Sequence, residues 1–349
     1  MTQREAMTPP KSVERWLWVV YCMIMTMVVV GGVTRLTGSG LSMVEWRPLM
    51  GTLPPMSESE WGRVFELYQA SPQYQEVNHW MKIEDFKQIF FWEYVHRLLG
   101  RLIGLTFGLP WLFFTLTKAL RGPWMKRALI ALLLGGGQGL MGWYMVKSGL
   151  INQPEVSHFR LAAHLSLAFL CGMWVLSLAL DIRASRGAQV ERPDEVATPA
   201  LLWWGFPLLL ITQVVYGAFM AGKRAGYMYS SFPDMNGALI GPTVGTMGPL
   251  SHDLINNPDS IHTLHRLLAW VVLIWGGYLS HSVARRSGFK KQARVFGGAL
   301  ALQFTLGALT VITSMNHALA VTHQLGAYLL LSATLWLYQS ERRARAESL

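Results

Sequence analysis

Across 349 residues the chain is 52% hydrophobic and 14% charged, against roughly 25% charge in soluble domains, which excludes an ordinary water-soluble globule. Its net charge of +10 would suit a nucleic-acid binder, but the basic residues sit in the segments between apolar runs, so no nucleic acid is expected. Cys22 and Cys171, the two cysteines, fall inside apolar runs and offer no outer-loop disulfide, zinc motif or CxxCH attachment site.

A membrane-crossing helix needs about 20 mostly apolar residues. Eight such runs occur, near 16–36, 95–117, 126–146, 160–180, 201–221, 262–282, 294–314 and 320–338. They are too long and continuous for barrel strands, so they predict an all-α integral membrane protein with eight transmembrane helices. Arg4, Lys11 and Arg15 precede span one, which lacks a small-residue cleavage site and reads as an uncleaved span. In the long loop 37–92, Ser57-Glu58-Ser59-Glu60 is a capping-box pattern that opens a surface helix through Trp61 and Tyr68. An amphipathic stretch from Ile83 to Phe91 feeds span two. Gly135, Gly136, Gly137, Gly139 and Gly142 in span three, and Gly307 in span seven, permit close helix approach. The second long loop, 222–261, is rich in Gly, Pro, Asn and Ser and reads as irregular.

The charge pattern supplies an orientation. Lys118, Arg121, Lys126 and Arg127 lie between spans two and three, and Arg285, Arg286, Lys290, Lys291 and Arg294 between six and seven. Arg342, Arg343 and Arg345 follow span eight. With alternating spans these groups share one side with the N-terminus. The positive-inside rule makes that side cytoplasmic, both termini included.

One unit is used twice. Glu93-Tyr94-Val95-His96-Arg97-Leu98-Leu99 corresponds to His262-Thr263-Leu264-His265-Arg266-Leu267-Leu268. Gln138 to Gly142 in span three pairs with Gln303 to Gly307 in span seven, and His164 in span four with His323 in span eight. Gly31, Gly32 and Arg35 likewise answer Gly217, Gly222 and Arg224. The expected architecture is two tandem four-helix bundles, residues 1–180 and 201–349, joined by a cytoplasmic linker at 181–200. Four helices per unit keep both copies in one orientation, related by a pseudo-twofold along the membrane normal.

His96, His164, His265 and His323 therefore occupy duplicated places near the outer ends of spans two, four, six and eight. Neutral imidazole is a good iron ligand, and two helices of one bundle can offer two imidazoles to one macrocycle. With no attachment motif, any haem is held non-covalently. His79, His158, His252, His262, His281 and His317 default to interfacial or solvated roles. Glu93 breaks the symmetry: it stands one turn before His96, where the second unit carries His262. A carboxylate in one copy alone suggests divided labour, chemistry in the first unit and a redox cofactor in the second; the competing reading is a rim charge. Arg97 and Arg266, beside Arg35 and Arg101, are candidates for haem propionates or for snorkelling to headgroups.

The segment Gly31-Gly32-Val33-Thr34-Arg35-Leu36-Thr37-Gly38-Ser39-Gly40-Leu41-Ser42, the stretch from Trp46 to Pro55, and Glu93-Tyr94-Val95-His96-Arg97 closely resemble haem A synthase. The form is that of the mitochondrial and proteobacterial branch, over about residues 15 to 340. The resemblance implies an oxidoreductase that converts the methyl of haem O to the formyl of haem A, by way of a hydroxymethyl, for cytochrome oxidase. It implies substrate haem O between His96 and His164, a haem b cofactor on His265 and His323, and Glu93 as catalytic carboxylate. The implied setting is the bacterial inner membrane, with haem sites towards the outer face. Partners would be haem O synthase, oxidase assembly factors, an electron donor or acceptor, and lipid. Some relatives carry a cysteine pair in the first outer loop; this chain does not. Two other classes fit the histidines: a bis-histidine electron-transfer cytochrome b, and a haem transporter or chaperone.

Overall fold

The computed structural model describes residues 8–45, 53–149, 155–187, 200–286 and 288–346. Trp46 and most of the linker, residues 188–199, lie outside the described residues, as does Arg4. Among the described residues ten α-helices carry the fold: α1 (Lys11–Leu36), α2 (Glu58–Gln69), α3 (Ile83–Leu116), α4 (Gly122–Gly149), α5 (His158–Ala184), α6 (Ala200–Gly222), α7 (Leu250–Asn256), α8 (Pro258–Ala284), α9 (Lys290–Ile312) and α10 (His317–Ala346). Eight of them, all but α2 and α7, are long and apolar enough to cross a membrane. The protein is an all-helical integral membrane protein, with no strand beyond one isolated bridge among the described residues.

Buried side chains gather into two main cores that follow chain order. One draws mainly on α1, α3, α4 and α5, with Trp16, Leu17, Phe107, Phe169 and Ile182, and also takes in Tyr328 of α10. The other draws on α6, α8, α9 and α10, with Phe206, Leu279, Phe296 and Leu337. Lipid does not drive helices together as water does, so specific ties matter at the seam between the halves. Tyr21 hydrogen-bonds Ser332 at 2.7 Å and stacks on Tyr328 at 5.5 Å. Gln324 Nε2 donates to Val28 O (2.8 Å), and Arg35 Nη2 donates to Ala221 O (2.8 Å) at the end of α6. Phe169 meets Tyr328 edge-on at 5.4 Å; each lies five residues after a span histidine, His164 or His323.

At the basic ends, Asp181 joins Arg127 and Arg343, both at 2.9 Å, and Arg286 pairs with Glu341 at 2.5 Å. Arg286 is thus buried. Asp181 also lies inside α5, so the polar linker begins after Ala184.

Two sequence expectations change at the opposite end. The stretch from Ile83 to Phe91 does not merely feed span two: it is the first part of α3. At 34 residues α3 is about 51 Å long, well beyond a hydrocarbon core of roughly 30 Å. Its excess packs Phe86, Ile89 and Phe90 against Tyr68 and Trp61 of α2. Half of the capping box expected at α2 forms: Ser57 Oγ accepts from Glu60 N at 3.3 Å, while the Glu60 carboxylate accepts from Met56 N at 2.8 Å and not from Ser57 N. The loop 222–261 is less irregular than its composition suggests, because it contains α7 and the start of α8. There Asp253 accepts from Gly245 N, Met247 N and Asn257 Nδ2, each at 2.9 Å, and from Ser260 Oγ. Buried donors replace the water that a carboxylate needs, so the turn closes around it.

Candidate functional site

The four duplicated histidines share a local design. Each ring lies against a glycine of a neighbouring helix. A Cβ added at Gly307 would fall 2.8 Å from His323 Cε1, at Gly142 3.1 Å from His164 Cε1, at Gly217 3.2 Å from His265 Cε1, and at Gly31 3.5 Å from His96 Nε2. At Gly307 the ring fills the volume that a methyl would take, at Gly142 and Gly217 a methyl would press on the ring, and at Gly31 it would make ordinary contact. The sequence suggested Gly142 and Gly307 for helix approach; in the structure each lies against an imidazole. The signal was available in the matching Gln-x-x-x-Gly spacing of residues 138–142 and 303–307.

In the second half His265 and His323 face each other, with ring centroids 6.5 Å apart and planes at 87°. Two imidazoles on opposite sides of one metal, with bonds of about 2 Å, bring their centroids to roughly 6 Å. Nδ1 of each ring is buried with no hydrogen-bond partner among the described residues. Spacing, orphaned nitrogens and glycine seats all fit an iron macrocycle between α8 and α10. In the first half His164 Nδ1 is likewise buried and unpartnered, while Gln138 Nε2 lies 3.3 Å from His164 Nε2. His96 is the fourteenth residue of α3, because the helix starts at Ile83.

Glu93 is 2% exposed, so it is not a rim charge. Its Oε2 accepts from Ser42 Oγ and Met43 N, both at 2.7 Å, and its Oε1 pairs with Arg97 Nη2 at 2.5 Å. Arg97 also donates to Met43 O at 2.9 Å. The pair therefore clamps the segment after α1 onto α3, one turn above His96. Gly38, at φ +66°, supplies the left-handed turn that delivers this segment. Arg224 takes the same backbone region (φ +53°) after α6.

The corresponding turn of α8 is built otherwise. His262, assigned by default to an interfacial role, is completely buried; its Nδ1 donates to Ala225 O at 3.0 Å. His158 is also buried, with Nε2 on Ile255 O at 2.9 Å. Both sit where residues of the 222–261 stretch fold back on the helices, a burial that sequence position alone does not reveal. Arg266 is 7% exposed and does not snorkel: its Nη1 donates to Ser231 O (2.9 Å) and Asp234 O. Above it, Tyr229 donates to Asp259 Oδ1 at 2.6 Å. Burial and that carboxylate push the Tyr229 phenol up to about 12. Hydrogen bonds from Ser260 and Asn257 hold the Asp253 carboxyl well below the usual carboxylate range.

Fold and site together define a polytopic membrane protein with duplicated imidazole seats, one copy bearing a buried carboxylate. The chain matches the family described as "Cytochrome oxidase assembly protein" over residues 14–335. It is 43% identical over 339 residues to the protein named "Heme A synthase" of Nitrosospira multiformis, covering 95% of this chain and 94% of that one. To the protein of the same name from Azorhizobium caulinodans it is 41% identical over 330 residues, covering 93% of each. For the one from Nitrosomonas eutropha the identity is 38% over 325 residues, covering 92% and 91%. The chain belongs to the haem A synthase family of cytochrome oxidase assembly proteins.

Proposed function

We propose that this protein oxidises the methyl group of haem O to a formyl group, producing haem A for cytochrome oxidase. The observation that carries the reading is a buried carboxylate, Glu93, one turn from an imidazole seat in the first half only. Substrate haem O binds between His96 and His164, which fix its orientation so that one peripheral methyl faces the Glu93 side; this is catalysis by positioning. Glu93 accepts a proton from, or stabilises positive charge at, the methyl carbon as it is oxidised to the hydroxymethyl and then to the aldehyde through its hydrate. The donors from Ser42, Met43 and Arg97 keep this carboxylate in place.

His265 and His323 hold a haem b, which supplies one-electron transfer when bound. Residues 1–180 form the substrate half and 201–349 the cofactor half, related by a pseudo-twofold along the membrane normal. Two cores, four glycine seats and two left-handed turns support that duplication. The distribution of Lys and Arg supports a bacterial inner-membrane setting, with cytoplasmic termini and both sites towards the outer face. Haem O synthase is the expected source of substrate.

The deciding experiment incubates detergent-purified protein with haem O under redox cycling, records visible spectra and weighs the extracted haems. Hydroxylated haem O or haem A in the extract supports synthesis, and its disappearance in Glu93→Gln places the chemistry in the first half. Haem b alone, with haem O returned unchanged, would replace this reading with an electron-transfer cytochrome. Reversible loading of both halves without oxidation would indicate a haem carrier.

A further inference from the structure

In the second half, three buried polar atoms on one face of α8 lack partners among the described residues: His262 Nε2, Arg266 Nε and Arg266 Nη2. The residues are one helical turn apart, and both are more than nine-tenths buried. Their chemistry is defined by what they already bind. Ala225 O can only accept, so His262 Nδ1 carries the proton and Nε2 presents a lone pair. Arg266 spends Nη1 on two loop carbonyls, which leaves the Nε–Nη2 edge, the fork that fits a carboxylate with two parallel bonds. Orphaned buried donors and acceptors are costly, so this arrangement is built for something that completes it.

The first half shows the alternative. There Arg97, the counterpart of Arg266, holds Glu93 at 2.5 Å, and Glu93 stands where the second half has His262. The first half has thus filled its own arginine with an internal carboxylate.

We infer that His262 and Arg266 form a carboxyl clamp for a propionate of the macrocycle held by His265 and His323, and that the first half lacks this clamp because Glu93 occupies it. A propionic group accepts from the Arg266 fork and shares its acid proton with His262 Nε2. The clamp makes the second macrocycle a resident, while the first site, without it, exchanges substrate for product. This rests on the proposed placement of a haem in the second half.

The test uses the full-length holoprotein in detergent. Transfer of its haem to excess apomyoglobin is timed, and the stripped protein is reloaded with haem b or with its dimethyl ester, which keeps the iron but removes both carboxyls. In the wild type the ester should bind roughly 10- to 100-fold more weakly than the free acid. Arg266→Gln and His262→Phe should each narrow that preference and speed haem loss about tenfold or more, while Arg97→Gln leaves both unchanged. Equal affinity of the wild type for acid and ester overturns the clamp, even if Arg266→Gln fails to fold. A wild type that binds neither macrocycle on His265 and His323, read by the absence of a low-spin spectrum, overturns instead the placement of the haem.

Discussion

The turn of α3 from Glu93 to Arg97 and the turn of α8 from His262 to Arg266 have the same helical register, each with a span histidine beside its arginine, yet their polar groups are spent differently. In α3 carboxylate and guanidinium satisfy each other and pin the segment around Ser42 and Met43. In α8 the imidazole and guanidinium satisfy loop carbonyls and leave nitrogen atoms unpaired. The residue one turn before the histidine thus decides whether the arginine behind it is neutralised by a side-chain carboxylate, as in α3, or spent on loop carbonyls, as in α8.

The strongest way to break the comparison is to remove a ligand from each half separately. His323→Ala should abolish the retained low-spin spectrum, whereas His164→Ala should preserve it and abolish haem O oxidation. Equal effects of the two variants on the retained spectrum would erase the proposed division of labour. Next in size, Glu93→Gln should lower the rate of haem O oxidation by about 10²- to 10⁴-fold, the usual range for a lost acid–base group. Its content of second-half haem should not change, and turnover at the wild-type rate would remove Glu93 from the chemistry.

The glycine seats give a graded test. Gly307→Ala, with the closest approach at 2.8 Å, should displace His323 and cost about 1–3 kcal/mol as overpacking. Gly31→Ala, at 3.5 Å from His96, is ordinary van der Waals contact and should be close to neutral in stability. Thermal unfolding in detergent together with the haem spectrum measures both, and a reversed order would show that the rings are not seated on these glycines.

The smallest effects belong to the stretch 222–261 that packs on α8. Tyr229→Phe should cost about 1 kcal/mol through the lost bond to Asp259. Tyrosine ordinarily ionises near pH 10, and in the fold Tyr229 is raised to about 12. Its stabilising contribution is therefore complete below about pH 10 and lost as pH rises through the folded value. The gap between wild type and Tyr229→Phe should stay constant from pH 6 to 9. Asp253 has the opposite sign: its carboxyl is depressed, so its contribution is complete above the ordinary value of about 3.9 and disappears only in stronger acid. A melting-temperature difference between wild type and Asp253→Asn that faded between pH 8 and 6 would contradict this.

How much could be read in advance depended on the kind of force involved. Eight spans were legible because a bilayer imposes length and apolarity locally, as α5 and α9 show. The repeated placing of the four histidines, and the carboxylate found in one copy alone, were legible because a repeat exposes both what recurs and what does not. The extent of α3 was missed, since its first turns are held by α2 through Phe86 and Tyr68, partners distant in sequence. His262 was set aside although it stood opposite Glu93 in the repeat; its burial comes from Ala225 and the 229–234 loop folding over α8.

The sequence by itself determined that this is an eight-span membrane protein of a recognisable family, with a recurring histidine motif and a carboxylate that only one copy of the motif carries. Those features are set by hydropathy and spacing, properties of neighbouring residues along the chain. Only the tertiary structure decided that the rings rest on glycines, that Glu93 is caged and not exposed, and that Arg97 is closed while Arg266 is open. Burial and hydrogen-bond partnership depend on which distant segments meet, and a linear pattern does not encode that meeting residue by residue.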